Sequence, residues 1–264
     1  MTQSRIRVLI PAAATDPTIT AVGPPAAPAI VFVHGMRLTR AAWAAQLDEL
    51  GDEFRAIAVD LPGHGARANE PFTLEGAADV VAATIREHAA DGRAVVVGLS
   101  LGGYVAIVLA AREPERVRGL VLAGATAEPV GIWSMAYRAL AAAMDRFDGP
   151  ALQRLNAWFF RARYPAPIAD PIVAGGFWSK GGATALRTLL GQRFAPRLAA
   201  YPGPTLILNG EWDLPFRLSA GTFAAAARDA RRVRLAGALH LSNLDRPAAF
   251  NEAVRRFARS VGAA

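Results

Sequence analysis

The chain has 264 residues, 53% of them hydrophobic and 19% charged, with no cysteine and a formal net charge of +7. This balance supports a packed core and argues against wholesale disorder, while the lack of cysteine excludes disulfides, thiolate metal sites and a cysteine nucleophile. The positive charge invites a nucleic-acid reading, but the basic residues are nearly all arginine and scattered, and the tightest cluster (Arg228, Arg231, Arg232, Arg234) is interrupted by Asp229. It reads as a solvated surface, and no nucleic-acid partner is expected.

At the start, Arg5 and Arg7 flank only a stub of apolar residues, without the apolar core and small-residue cleavage site of a secretory signal. No apolar run approaches the about 20 residues that span a bilayer. A cytoplasmic protein with no membrane partner is the expectation, and nothing in the sequence sets its oligomeric state. Strands are predicted at residues 6–10, 30–34, 54–60, 94–99, 117–123, 205–209 and 231–235. The central ones are almost wholly apolar, as parallel strands buried on both faces must be. Helical patterns at 41–50, 74–90, 101–112, 218–230 and 247–261 alternate with them. Such alternation predicts an α/β fold, a mostly parallel doubly wound sheet covered by helices on both sides.

The alternation breaks between 127 and 199. Helical patterns at 133–146, 152–163 and 183–194 are punctuated there by Pro165, Pro167, Pro171 and the pairs Gly175-Gly176 and Gly181-Gly182. The prediction is a helical cap, 127–199, inserted into a core made of 1–126 and 200–264. Most of its large apolar side chains serve to dock it. Trp133, Tyr137, Trp158, Phe177 and Trp178 are the candidates for lining an apolar substrate pocket. Asn156, Arg161, Arg163, Tyr164 and Gln192 read as surface rather than as ligands.

The chemistry centres on Gly98-Leu99-Ser100-Leu101-Gly102, which directly follows an apolar strand and opens a helix. That is the G-x-S-x-G nucleophile elbow in its proper setting: the turn is too sharp for side chains on either flank, and it lifts the serine hydroxyl clear of the sheet. The helix N-terminus then faces any oxyanion that develops. Further along the chain, Ile30-Val-Phe-Val-His34-Gly35-Met36, Asp60-Leu-Pro-Gly-His-Gly65 and Trp43 add matches. Together these motifs resemble the α/β-hydrolase family over nearly the whole chain. The resemblance implies the α/β-hydrolase fold and an oxyanion hole built from the Met36 and Leu101 N–H groups.

A serine nucleophile needs a base, and the base needs an orienting carboxylate. Of four histidines, His34 and His64 lie in motif loops and His88 in a charged surface stretch. His240 follows the last strand and precedes the last helix, where the family carries its catalytic histidine. Asp245 and Pro247 also resemble the family's pattern, although Leu239 stands where relatives usually have glycine. For the acid, Leu206-Ile-Leu-Asn-Gly-Glu-Trp-Asp213 offers Asp213 after a strand and a glycine turn. Glu211 and Glu128 are the competing acids, and a helix cap is the competing role for Asp213. The order Ser100, Asp213, His240 is that of α/β-hydrolases.

Serine at the elbow argues against the haloalkane dehalogenases and epoxide hydrolases, which use aspartate there. The reading is a serine hydrolase that cleaves a carboxylic ester of a small apolar molecule through an acyl-enzyme, with no metal and no cofactor. The alternatives are a C–C bond hydrolase or secondary-metabolite tailoring enzyme on the same triad, and a small-molecule receptor on a hydrolase scaffold.

Overall fold

A computed structural model describes residues 16–262; the strand expected at 6–10 lies outside them. Seven strands form one sheet: β1 (Ile19–Val22), β2 (Ala29–Val33), β3 (Arg55–Val59), β4 (Ala94–Leu99), β5 (Val117–Ala123), β6 (Pro204–Gly210) and β7 (Asp229–Leu235). Their order is β1-β3-β2-β4-β5-β6-β7, with β1 antiparallel to β3 and every other pairing parallel. β1 escapes a sequence reading because four residues between Pro17 and Gly23 carry little periodic signal. Pairing with β3 makes it a strand.

Because strand side chains alternate between faces, the central strands feed two cores. On one face Val31, Val33, Ile57, Val96, Leu120 and Leu122 meet α2 (Leu74–His88) and α3 (Leu101–Arg112). On the other, Ile30, Phe32, Ala56, Val95 and Val97 meet Trp43, α1 (Ala44–Leu50), and later Phe250 and Val254. α3 is buried all round, as its almost wholly apolar sequence requires.

Between β5 and β6 lie five helices: α4 (Ile132–Arg146), α5 (Pro150–Arg163), α6 (Ala166–Gly175), α7 (Ser179–Leu189) and α8 (Phe194–Ala199). α6 was not expected, because three prolines mask it. Pro165 and Pro167 stand at its start, where a missing N–H costs nothing, and only Pro171 forfeits a helical bond. The glycine pair 181–182 does not break a helix but lies inside α7. A Cβ on Gly181 would come within 2.0 Å of Gly63 O, and one on Gly182 within 2.7 Å of Arg37 Cγ. These glycines are bare so that α7 can sit directly on the loops after β2 and β3. The single helix expected at 183–194 is instead two, divided at Gly191, whose φ is +77°.

After β6 come α9 (Leu214–Ala226), β7, α10 (Ser242–Asp245) and α11 (Pro247–Ser260). The helix expected at 218–230 starts earlier, at the turn that holds Pro215, and yields to β7 at Asp229. There, pairing with β6 overrides the helical character of the alanine run. Among the described residues no helix is long and apolar enough to cross a membrane.

Candidate active site

Ser100 sits where β4 ends and α3 begins. Its backbone has φ +53° and ψ −116°, a conformation that a non-glycine residue holds only when its surroundings impose it. Crowding imposes it here. A Cβ on Gly98 would lie 2.3 Å from Gly102 O, and one on Gly102 would lie 2.1 Å from Val33 O. Gly103, one residue past the motif, is as tight: a Cβ there would be 2.3 Å from Ala125 Cβ. The Ser100 N–H donates to Ala123 O (2.8 Å), tying the turn to the end of β5, and the residue keeps 8% of its surface exposed.

Asp213 occupies the N-cap position of α9, yet its side chain makes no capping hydrogen bond. Its Oδ2 instead lies 2.9 Å from His240 Nδ1. The pair abuts the end of β5, since a Cβ on Gly124 would stand 3.0 Å from both Asp213 Oδ2 and His240 Nδ1. Ala123 holds Ser100 and its neighbour Gly124 faces the pair, so all three side chains gather at the carboxyl ends of β4, β5 and β6. Open α/β sheets bind ligands at that edge. Among the described hydrogen bonds none joins Ser100 Oγ to His240, a contact that in such sites tightens when substrate binds.

Three groups support His240, and two of them, Phe216 and Thr126, left no signal in the sequence. The Phe216 ring stacks on the imidazole at 4.7 Å between centroids. Thr126 Oγ1 donates to Phe216 O (2.6 Å) and so fixes that stack. Asp245, almost fully buried, accepts the Leu239 N–H (2.7 Å), the Tyr164 hydroxyl (2.9 Å) and Arg163 Nη2 (2.7 Å), binding the histidine loop to the end of α5. The competing acids are engaged elsewhere. Glu211 accepts the Gly237 N–H (2.9 Å), and Glu128 takes the Phe194 and Ala195 N–H groups (2.8 and 2.7 Å) at the start of α8.

The loop after β2 is braced by two buried histidines. His34 Nε2 accepts the Leu61 N–H (3.0 Å), so Nδ1 carries the hydrogen and donates to Gly35 O (2.9 Å). With that carbonyl held, planarity of the trans peptide turns the Met36 N–H the opposite way. A Cβ on Gly35 would lie 3.6 Å from Ser100 Cβ, so this peptide stands beside the serine. The Leu101 N–H belongs to the first turn of α3 and has no intrahelical acceptor. His64 follows the same scheme, accepting the Arg37 N–H (3.3 Å) and donating to Pro62 O (2.9 Å).

Burial pushes His34 down to about 4 and His64 to about 3, the latter also through repulsion from His34. The unfolded chain therefore takes up protons below the ordinary histidine value near 6.5 that the folded chain refuses. Stability from these groups is complete above pH 6.5 and drains away as pH falls toward 4, by roughly 3 kcal/mol for each histidine. Thermal unfolding between pH 7 and pH 4 tests this: the midpoint drops steeply, and a flat midpoint refutes the buried neutral pair.

A model of the Alpha/beta hydrolase family matches residues 30–253. The chain belongs to that family. It is 31% identical over 210 residues to a pimeloyl-[acyl-carrier protein] methyl ester esterase of Chromobacterium violaceum, covering 75% of this chain and 81% of the relative. A relative of the same name from Neisseria meningitidis is 43% identical over 100 residues, 38% of this chain but only 30% of the relative. This chain thus spans under a third of that protein's length. Among solved structures, a thermophilic esterase from Thermogutta terrifontis superimposes with a TM-score of 0.77 at 27% identity, covering 92% of this chain and 93% of the other.

The residues expected to line a pocket part company. Tyr137 lies within reach of the Asp213 charge: its hydroxyl meets that of Tyr104, and burial raises its pKa, with the Asp213 charge adding to the rise. Phe177 and Trp178 border a cleft of about 620 Å³ between α7, Asp148 and the Gly63–Phe72 side of the core. Trp133 and Trp158, 37% and 67% exposed, do not border it. Among the described residues no group of three His, Cys, Asp or Glu side chains is placed to hold a metal ion.

Proposed function

We infer that this hydrolase cleaves a carboxylic ester through an acyl-enzyme on Ser100. The observation that carries the reading is the Asp213–His240 contact at 2.9 Å beside an elbow serine held at positive φ. His240 takes the Ser100 proton as the oxygen attacks the ester carbonyl. Asp213 keeps Nδ1 protonated, so that Nε2 is free to accept. The Met36 and Leu101 N–H groups receive the oxyanion, and His240 returns the proton to the departing alcohol. Water, deprotonated by His240, then releases the acid.

Relatives named for methyl esters make a methyl ester the first substrate to try. A series of methyl and p-nitrophenyl esters of rising acyl length, run with fluorophosphonate labelling, tests the reading. Ester turnover with label on Ser100 supports it. An inert Ser100 and no turnover across the series favour a receptor on the same scaffold.

A further inference from the structure

A large apolar side chain exposed singly on a surface is ordinary, whereas a row of them along one helix face calls for a partner. Among the described residues, most of the exposed large apolar side chains lie on α4, α5 and the turn between them. α4 turns Ala141 and Met144 inward, into the core that holds Ala183 and Leu186 of α7. On its opposite side Ile132, Met135, Ala136, Ala139 and Ala143 follow one another at helical spacing, and all are exposed. α5 repeats the pattern. Phe160 is buried, while Ala151, Leu155, Trp158 and Ala162 form the outer face. Ile132, Met135, Phe147, Leu155, Trp158 and Phe159 keep between 48% and 78% of their surface exposed. A helix apolar on both its inner and its outer side is ordinarily a buried helix, yet nothing among the described residues covers these outer faces.

The charges of the same segment point to what covers them. Between residues 132 and 163, Asp145 pairs with Arg187, Arg161 with Asp170 and Arg163 with Asp245. Asp148 lines the cleft, and its charge acts on the half-buried Arg37. Arg138, Arg146 and Arg154 are exposed and pair with no carboxylate among the described residues, although Arg146 rests over the Phe147 ring. The surface therefore offers apolar and tryptophan side chains with three unpaired cations, and every acid in the segment is engaged. That combination complements a boundary that is apolar inside and anionic at its rim, where arginine heads reach outward along their own stems. A second copy of the chain fits less well, because a two-fold pairing of this face sets three unpaired arginines against three more.

We propose that the outer faces of α4 and α5 dock this hydrolase on the surface of an anionic lipid bilayer. Ile132, Met135, Leu155 and Trp158 enter the boundary between headgroups and acyl chains, and Arg138, Arg146 and Arg154 meet the headgroups. The attachment is peripheral. Helices of 15 and 14 residues are too short to span the bilayer, and a search for an apolar run of about 20 residues passes over them. A fluid surface also takes both helices without a matching shape.

The test is flotation of the full chain with vesicles of mixed phosphatidylglycerol and phosphatidylcholine, and with vesicles of phosphatidylcholine alone. Light scattering on the lipid-free protein gives its oligomeric state. The protein is expected to bind the anionic vesicles, to bind the neutral ones at least tenfold more weakly, and to release as salt is raised. Met135→Ser with Leu155→Ser weakens binding more than tenfold, and Arg138→Gln with Arg146→Gln and Arg154→Gln weakens it about 100-fold. Both variants keep the wild-type melting temperature, since the replaced side chains are exposed. Neither readout depends on ester turnover. No binding to the anionic vesicles, less than a tenfold preference for them, or undiminished binding by either variant overturns the proposal. A lipid-free dimer that Met135→Ser with Leu155→Ser splits, without vesicle binding, overturns it in favour of a second copy.

Discussion

Ser100→Ala lowers kcat on a p-nitrophenyl ester by about a millionfold, the scale of nucleophile deletions in serine hydrolases. The loss is chemical because the fold around Ser100 is set by its neighbours. Gly98, Gly102 and Gly103 fix the turn by their lack of side chains, and the Ser100 N–H, which alanine keeps, bonds to Ala123 O. Alanine at φ +53° suffers the same strain as serine, so the melting temperature stays where it was. Ser100→Gly is equally inactive but relieves that strain, and it gains about 1 kcal/mol of stability. Steady-state kinetics with calorimetry checks both points. Retention of more than a tenth of the turnover by Ser100→Ala removes the serine from the mechanism.

What was legible in the sequence is what short-range physics dictates. Strands buried on both faces advertise themselves by unbroken apolar runs, so β4 and β5 lie at Ala94–Leu99 and Val117–Ala123, where they were predicted. The elbow is equally local: glycines at fixed offsets from a serine between strand and helix. The parts that were missed depend on partners distant in the chain. β1 exists through β3, α6 is hidden by prolines that sit harmlessly at its start, and the Gly181-Gly182 pair serves contact rather than chain breaking. A glycine pair has the same letters in either role. Only the approach of Gly63 and Arg37 from another segment decides between them.

The same division holds within the site. Motif and order nominate Ser100, Asp213 and His240, whereas Phe216, Gly124 and the Arg163–Tyr164–Asp245 contacts reach the histidine or its loop from α9, the β5 end and α5. Leu239, the departure from the family's glycine, is held by Asp245 through its N–H, so that the loop is fixed by backbone and buried carboxylate together.

Asp213→Asn lowers kcat by about ten-thousandfold while leaving the melting temperature nearly unchanged. The carboxylate accepts from His240 Nδ1 at 2.9 Å, which places the imidazole hydrogen on Nδ1 and leaves Nε2 free to take the serine proton. An asparagine amide in the same place donates to Nδ1, moves the hydrogen to Nε2 and disables the base without disturbing the packing. Stability is spared because Asp213, though at the start of α9, does not cap it. The controls run the other way. Glu128→Gln removes the charge that gathers the Phe194 and Ala195 N–H groups at the head of α8, so it lowers the melting temperature and leaves kcat within a few-fold. Glu211→Gln, whose carboxylate serves the Gly237 N–H, likewise keeps its turnover. If Asp213→Asn retains more than a tenth of wild-type kcat while Glu128→Gln or Glu211→Gln loses a thousandfold, the acid of the triad is misassigned. Retention of that turnover by Asp213→Asn with no loss in either control likewise removes Asp213 from the mechanism, although among the described hydrogen bonds its carboxylate is the one that contacts the imidazole.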